Sequence, residues 1–211
     1  GCKIIKPEWT IDVPLELRVP HEIGLVARTA LRDYFPGYET YIWFDADAWA
    51  QTPEFFDALV EGSRAKGAAV IHEDGTGYHM NNLYRRWWYG HMITSLGLLK
   101  GLRTAMSPVI NIGILALGNT APHWDAWISD YKKMIERRLR VNLDQHSFNS
   151  AVVLNRLPTA QLPARCNWIC TLSPPIWNPE SKLLCEPNKG RHPISVLHLA
   201  GPDKRRTYRL A

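Results

Sequence analysis

The chain has 211 residues, enough for one sizeable core, and its 45% hydrophobic and 21% charged residues belong to a globular protein, not a disordered one. A net charge of +5, gathered in clusters, favours anionic partners. No apolar run reaches the roughly 18 residues of a membrane span, and the start lacks the charged-then-apolar pattern of a secretory leader.

Residues 2–6 read as a short strand, and residues 7–20 as an extended connection punctuated by prolines. Residues 22–34 carry Ile23, Val26, Ala30 and Leu31 at helical spacing and stop before Pro36-Gly37. The aromatic run Tyr41-Ile42-Trp43-Phe44 suits a buried strand and ends in Asp45-Ala46-Asp47. Thr52-Pro53-Glu54 predicts a capped helix start, with Phe55, Phe56, Leu59 and Val60 on the buried face. Residues 67–72 form the next strand, and Gly75 and Gly77 mark a loop. Residues 81–99 read as a helix holding the pair Trp87-Trp88, and residues 109–117 as an apolar strand ended by Gly118-Asn119. An amphipathic helix spans 122–139, and Leu143-Asp144-Gln145 opens another that runs to Leu154. Residues 157–168 read as strand and loop, 172–182 as irregular, and 194–199 as a last strand. Strands alternating with helices predict a single α/β domain over residues 1–211, with a mainly parallel central sheet flanked by helices.

Four short constellations carry chemistry. Asp45 and Asp47 stand where ligands bind in open α/β sheets, at a strand's carboxyl end. Two hard oxygen donors one residue apart can share one divalent cation, Mg2+ or Mn2+, which bridges well to phosphates. The same pair also fits a capped turn. Asn111-Ile112-Gly113 interrupts an apolar strand: the Asn needs hydrogen-bond partners, and the Gly admits a ligand or marks a bulge. Asp144-Gln145 and Asn149 lie at a helix start, where Asp144 also fits a simple cap. His198-Leu199-Ala200-Gly201 ends the last strand, with Lys204 just behind: a His there suits a metal or a buried hydrogen bond, and Gly and Lys suit a phosphate.

In order, these constellations resemble the glycosyltransferases of the GT-A fold, in particular the retaining family that includes glycogenin and bacterial lipopolysaccharide galactosyltransferases. Tyr41 to Asp47 is similar to that family's strand ending in the metal-binding Asp-x-Asp. Asn111-Ile112-Gly113 resembles its (F/I)NxG strand, Asp144-Gln145…Asn149 its DQxxxN helix start beside the reacting carbon, and His198…Gly201…Lys204 its HxxGxxK element. The resemblance implies a metal on Asp45, Asp47 and His198, with Gly201 and Lys204 on the diphosphate. It also implies Asp144 or Gln145 at the sugar, Asn111 and Gly113 facing donor and acceptor, and Arg28 as a further phosphate or sugar contact. The implied activity is retaining, Mn2+- or Mg2+-dependent transfer from a nucleotide sugar, UDP-sugar favoured, to a glycan, lipopolysaccharide or lipid-linked, or protein hydroxyl. The family carries a further strand-and-helix unit upstream of the Asp-x-Asp strand, and the 44 residues before Asp45 leave room for one strand and one helix.

Two other readings stay open at this point. One is a degenerate, non-catalytic sugar-nucleotide-binding module. The other is a haloacid-dehalogenase-type phosphatase, in which an Asp-x-Asp supplies nucleophile and general acid. Nucleic acid is not favoured, because no aromatic-basic RNA signature or zinc pattern occurs. Cys2, Cys166, Cys170 and Cys185 read as free thiols of a reducing cytoplasm, a Cys166–Cys185 bridge being the alternative. The basic clusters Lys132, Lys133, Arg137, Arg138, Arg140 and Lys204, Arg205, Arg206, Arg209 suit peripheral contact with a membrane surface.

Overall fold

The most apolar stretch of the sequence becomes the interior strand β4 (Ile110–Gly118) of a computed structural model that describes residues 4–20, 22–73, 82–137, 143–187 and 192–200. It lies between β1 (Thr40–Phe44) and β3 (Ala68–His72), and β5 (Ala160–Leu162) extends the sheet in the order β1-β4-β3-β5. Helix α3 (Glu54–Lys66) covers one face, burying Phe55 and Leu59 against Ala69, Ile71, Ile114 and Ala116. Helices α6 (His123–Glu136) and α7 (Leu143–Asn155) cover the other, where Trp124, Trp127 and Phe148 pack on Val70, Ile112 and Leu115.

The expected α/β architecture is present, but the sheet is mixed. β4 pairs antiparallel with both β1 and β3, and only β3 and β5 pair in parallel. The reason lies between β3 and β4. A single crossover helix would carry the chain back to the start of β3 and give a parallel neighbour. Here two helices intervene, α4 (Asn82–Leu96) and α5 (Leu98–Ala105), packed on each other as a hairpin. The second helix undoes the travel of the first, so β4 begins beside the carboxyl end of β3: His72 faces Ile110, and Glu73 N–H donates to Val109 O at 2.8 Å. The hairpin turns at Gly97, whose φ of +81° suits a residue without Cβ. The sequence reading ran one helix through this glycine to residue 99 and left α5 unrecognised.

Other differences are local. Residues 22–34 are not one helix: α1 (Glu22–Ala27) passes through a 3-10 turn at Arg28–Ala30 into α2 (Leu31–Tyr34). Ile4 to Lys6, the described part of the expected first strand, is irregular. Thr52 does not cap α3; Pro53 is the N-cap, and the Thr52 hydroxyl bonds the Glu54 carboxylate. Phe56 is 41% exposed, off the buried face. Part of the 172–182 segment forms a hairpin, β7 (Ile176–Asn178) with β8 (Leu183–Cys185). A second sheet, β2-β9-β6, joins β2 (Ala48–Ala50), β9 (Val196–His198) and β6 (Trp168–Ile169). Cys166, Cys170 and Cys185 are buried free thiols, and no bridge joins Cys166 to Cys185. Among the described residues no helix is long and apolar enough to cross a membrane. The Gly75–Gly77 loop lies outside the described residues.

His123 opens α6 fully buried, beside Phe148 and the close-packed Gly67. Burial pushes its pKa down, against a smaller upward pull from the Pro158 backbone. A histidine whose folded pKa is depressed binds fewer protons than the unfolded chain does, so stability falls as pH drops through about 6.5. In urea titrations at a series of pH values, His123→Phe is expected to lose less stability than wild type below that pH. Parallel curves for the two proteins would remove His123 from the account.

Candidate functional site

Asp45 and Asp47 leave β1 in a tight turn closed by Ala48 N–H donating to Asp45 O at 3.0 Å. The chain then enters β2 at once, and β2 pairs antiparallel with β9 so that Ala48 faces His198. Leu199 N–H donates to Asp47 O at 3.0 Å, and β6 holds the other edge of β9 with Ile169 opposite His198. Backbone pairing therefore brings the early aspartates and the late histidine to one place.

The ligand atoms of Asp45, Asp47 and His198 lie within 4.8 Å of one another. His198 Nε2 stands 3.2 Å from Asp47 Oδ1 and 3.7 Å from Asp45 Oδ2. The imidazole is 2% exposed, whereas the carboxylates are 23% and 27% exposed, so the cluster is walled behind and open in front. Gly113 makes the approach possible. A Cβ there would overlap His198 Cε1 and press on Asp45 Oδ2 at 2.8 Å and Asn111 Oδ1 at 3.0 Å. β4 also shifts register against β3 between Asn111 and Ala116: Ile110 and Ile112 face α6 and α7, but beyond Gly113 that face passes to Leu115 and Leu117.

A chain of buried amides decides which imidazole nitrogen faces the aspartates. Asn111 has two fixed neighbours. Gly113 N–H can only donate, and it reaches Asn111 Oδ1 at 2.8 Å. The buried Glu73 carboxylate accepts from Asn111 Nδ2 at 2.8 Å. Asn111 Oδ1 thus points at Asn167, which must present its amino group (Nδ2 to Oδ1, 2.9 Å). Asn167 Oδ1 then faces His198 Nδ1 at 2.8 Å and can only accept. Nδ1 therefore carries a proton, and Nε2 is the nitrogen turned toward the two carboxylates. Two carboxylates and an imidazole nitrogen turned toward one point suit a divalent cation, and Asn167 is the kind of partner that metal-bound imidazoles have behind them.

Arg28, presented by the 3-10 turn, is buried beside this cluster. Its Nη2 is 2.9 Å from Asp45 Oδ1 and its Nη1 3.1 Å from Asp144 Oδ2, and its guanidinium lies 4.8 Å from the Trp43 ring centre. Trp43 Nε1–H also donates to Asp45 Oδ1, at 2.6 Å. Burial raises the pKa of Asp144, and Arg28 opposes that rise. Gln145 is half-buried and donates from Nε2 to Glu73 Oε1 at 3.0 Å; the Tyr84 hydroxyl donates to Glu73 Oε2. Asn149 clamps α7 to the start of β4, accepting from Ile110 N (2.8 Å) and donating to Ile110 O (2.9 Å).

Eight of the sequence-predicted residues thus converge: Asp45, Asp47, His198, Gly113, Asn111, Arg28, Asp144 and Gln145. Gly201 and Lys204 lie outside the described residues, as do Arg138, Arg140 and the cluster from Lys204 to Arg209. Asn111 holds other protein groups with its amide and is only 6% exposed, which suits positioning better than contact with donor or acceptor. Glu73 and Asn167 were missed. Glu73 follows the carboxyl end of β3, so the rule that singled out Asp45 also reaches it. Nothing in the sequence around Asn167 signals its part.

The chain matches no protein-family model, and no curated protein is significantly similar to it.

Two outcomes check this geometry. In 15N-resolved NMR of the metal-free protein, His198 is expected to be the Nδ1–H tautomer, and Asn167→Leu to lose it and bind Mn2+ about 10- to 100-fold more weakly by calorimetry. A wild-type imidazole with Nδ1 unprotonated and the proton on Nε2 alone would overturn the amide chain. Gly113→Ala is expected to weaken Mn2+ binding at least about tenfold, since its Cβ displaces ligand side chains. Unchanged affinity in this variant would contradict the cluster.

Proposed function

We propose that this chain is a divalent-cation-dependent glycosyltransferase of GT-A type, moving a sugar from a nucleotide diphosphate, UDP favoured, to an acceptor hydroxyl. The reading is carried by one observation: Asp45, Asp47 and a tautomerically fixed His198 meet at the carboxyl end of β1. Asp45, Asp47 and His198 would hold the Mn2+ or Mg2+ ion, which would supply Lewis-acid stabilisation to a departing diphosphate. The chain's own residues supply the rest. Arg28 and Trp43 hold Asp45 in place, and Arg28 sets Asp144 and the start of α7 beside the metal ligands. Of the two residues expected at the sugar, Asp144 is buried and paired to Arg28, so half-buried Gln145 is the one that would meet sugar hydroxyls. Asp144 then acts as a fixed negative charge behind a carbon that turns oxocarbenium-like.

Asp45 accepts from Arg28 and Trp43 on one oxygen and faces His198 with the other. That suits a metal ligand better than a nucleophile that must swing onto phosphorus, so phosphomonoester hydrolysis is the weaker reading.

Release of UDP or GDP from a panel of nucleotide sugars, with and without Mn2+, tests the proposal. One base is expected to stand out, with activity lost in chelator and lowered at least about 100-fold by Asp47→Ala. Asp47 is 27% exposed, so that variant is expected to keep the wild-type melting temperature. Full turnover in chelator, or in Asp47→Ala, would sink the metal role.

A further inference from the structure

The α4–α5 hairpin is built inside out. Helix α5 turns its small residues inward, burying Gly101, Thr104 and Ala105. A Cβ on Gly101 would stand 2.5 Å from Ile93 Cα and 2.6 Å from Met92 O, so α5 lies hard against α4. With the contact filled by small groups, the large ones face away. Leu98 is 62% exposed, Leu99 82% and Met106 73%, and Leu102 is half-buried between them. At about 100° per residue, these four side chains span roughly 100° of arc, a single outward apolar stripe. A water-facing helix would show charge there.

The surrounding charge indicates what covers the stripe. Arg103 is exposed at its margin and Lys100 further round the same helix, and Arg85 and Arg86 are exposed on α4. Arg137 reaches Ser95 O at 2.6 Å, which brings the basic end of α6 to the last turn of α4, next to where α5 begins. No Asp or Glu occurs between Asp74 and Asp125, a stretch that contains both helices. We propose that this face docks on an anionic lipid bilayer, with Leu98, Leu99, Leu102 and Met106 entering the headgroup boundary and the flanking cations meeting lipid phosphates. A second copy of the chain fits less well, because in a two-fold contact between these hairpins neither copy offers an Asp or Glu to pair the other's Lys100 and Arg103. The inference does not depend on the proposed transfer reaction, and its test needs no sugar nucleotide.

The test is co-sedimentation of the full chain with vesicles of phosphatidylcholine, alone or mixed with phosphatidylglycerol. Binding to the mixed vesicles is expected, weakening as salt rises. L98S/L99S is expected to lower the partition coefficient at least about tenfold, with an unchanged circular dichroism spectrum, since both side chains already face solvent. K100E/R103E is expected to remove the preference for anionic lipid. The proposal is overturned if wild type ignores the anionic vesicles. It is also overturned if L98S/L99S binds as wild type does, which places the contact elsewhere on the chain. A third contrary result is a lipid-free dimer that L98S/L99S dissociates in sedimentation velocity, which makes a second copy the occupant.

Discussion

The site depends on the pairing of two three-residue strands. β2 begins one residue after Asp47, and β9 ends on His198, so their antiparallel register sets Ala48 opposite His198. Two carboxylates repel each other, and His198 Nε2, 3.2 Å from Asp47 and 3.7 Å from Asp45, offsets that repulsion only when it is protonated. The backbone ladder and the β6 edge hold the groups together, and Gly113 makes the approach sterically possible. A binding site preorganised in this way spends little on rearrangement when a cation arrives.

Electrostatics is balanced around that constraint by one buried cation. Arg28 lies between Asp45 and Asp144 and stacks on Trp43. Burying a guanidinium is costly unless its partners are close, and here two carboxylates and an aromatic face surround it. Its position on a 3-10 turn within a helical segment is consistent with tight turns marking functional points in helices. Behind the cluster, Glu73 sets the polarity of the Asn111–Asn167–His198 chain and also receives Gln145 and Tyr84. One carboxylate thereby orients the proposed metal ligand and the residue proposed to meet the sugar.

Much of this was legible in sequence, for identifiable reasons. β1, β3, β4, α3, α6 and α7 carry long apolar patterns, and tertiary packing agrees with them. Asp45, Asp47 and His198 could be singled out because they stand at the carboxyl ends of two predicted strands and recur in order with Asn111-Ile112-Gly113 and Asp144-Gln145, though each alone also fits a capped turn or a buried hydrogen bond. Strand direction was not legible. It turns on whether one helix or two lie between β3 and β4, and the break at Gly97 looks in sequence like a glycine tolerated within a helix. β2, β6, β7 and β8 are too short to show alternation. Asn167 acquires its part only from neighbours remote in sequence, Asn111 and His198, so no local pattern could reveal it.

The α4–α5 hairpin has two consequences from one feature. It returns the chain to the carboxyl end of β3, which reverses β4 and sets Asn111 and Gly113 beside the aspartates. Its small-residue contact also sends the leucines of α5 outward. The central claim remains the convergence on one cation, and anomalous diffraction from crystals grown with Mn2+ tests it most directly. A single peak within bonding distance of Asp45, Asp47 and His198 Nε2 is the expected result. A peak elsewhere, or none at that cluster, contradicts the account.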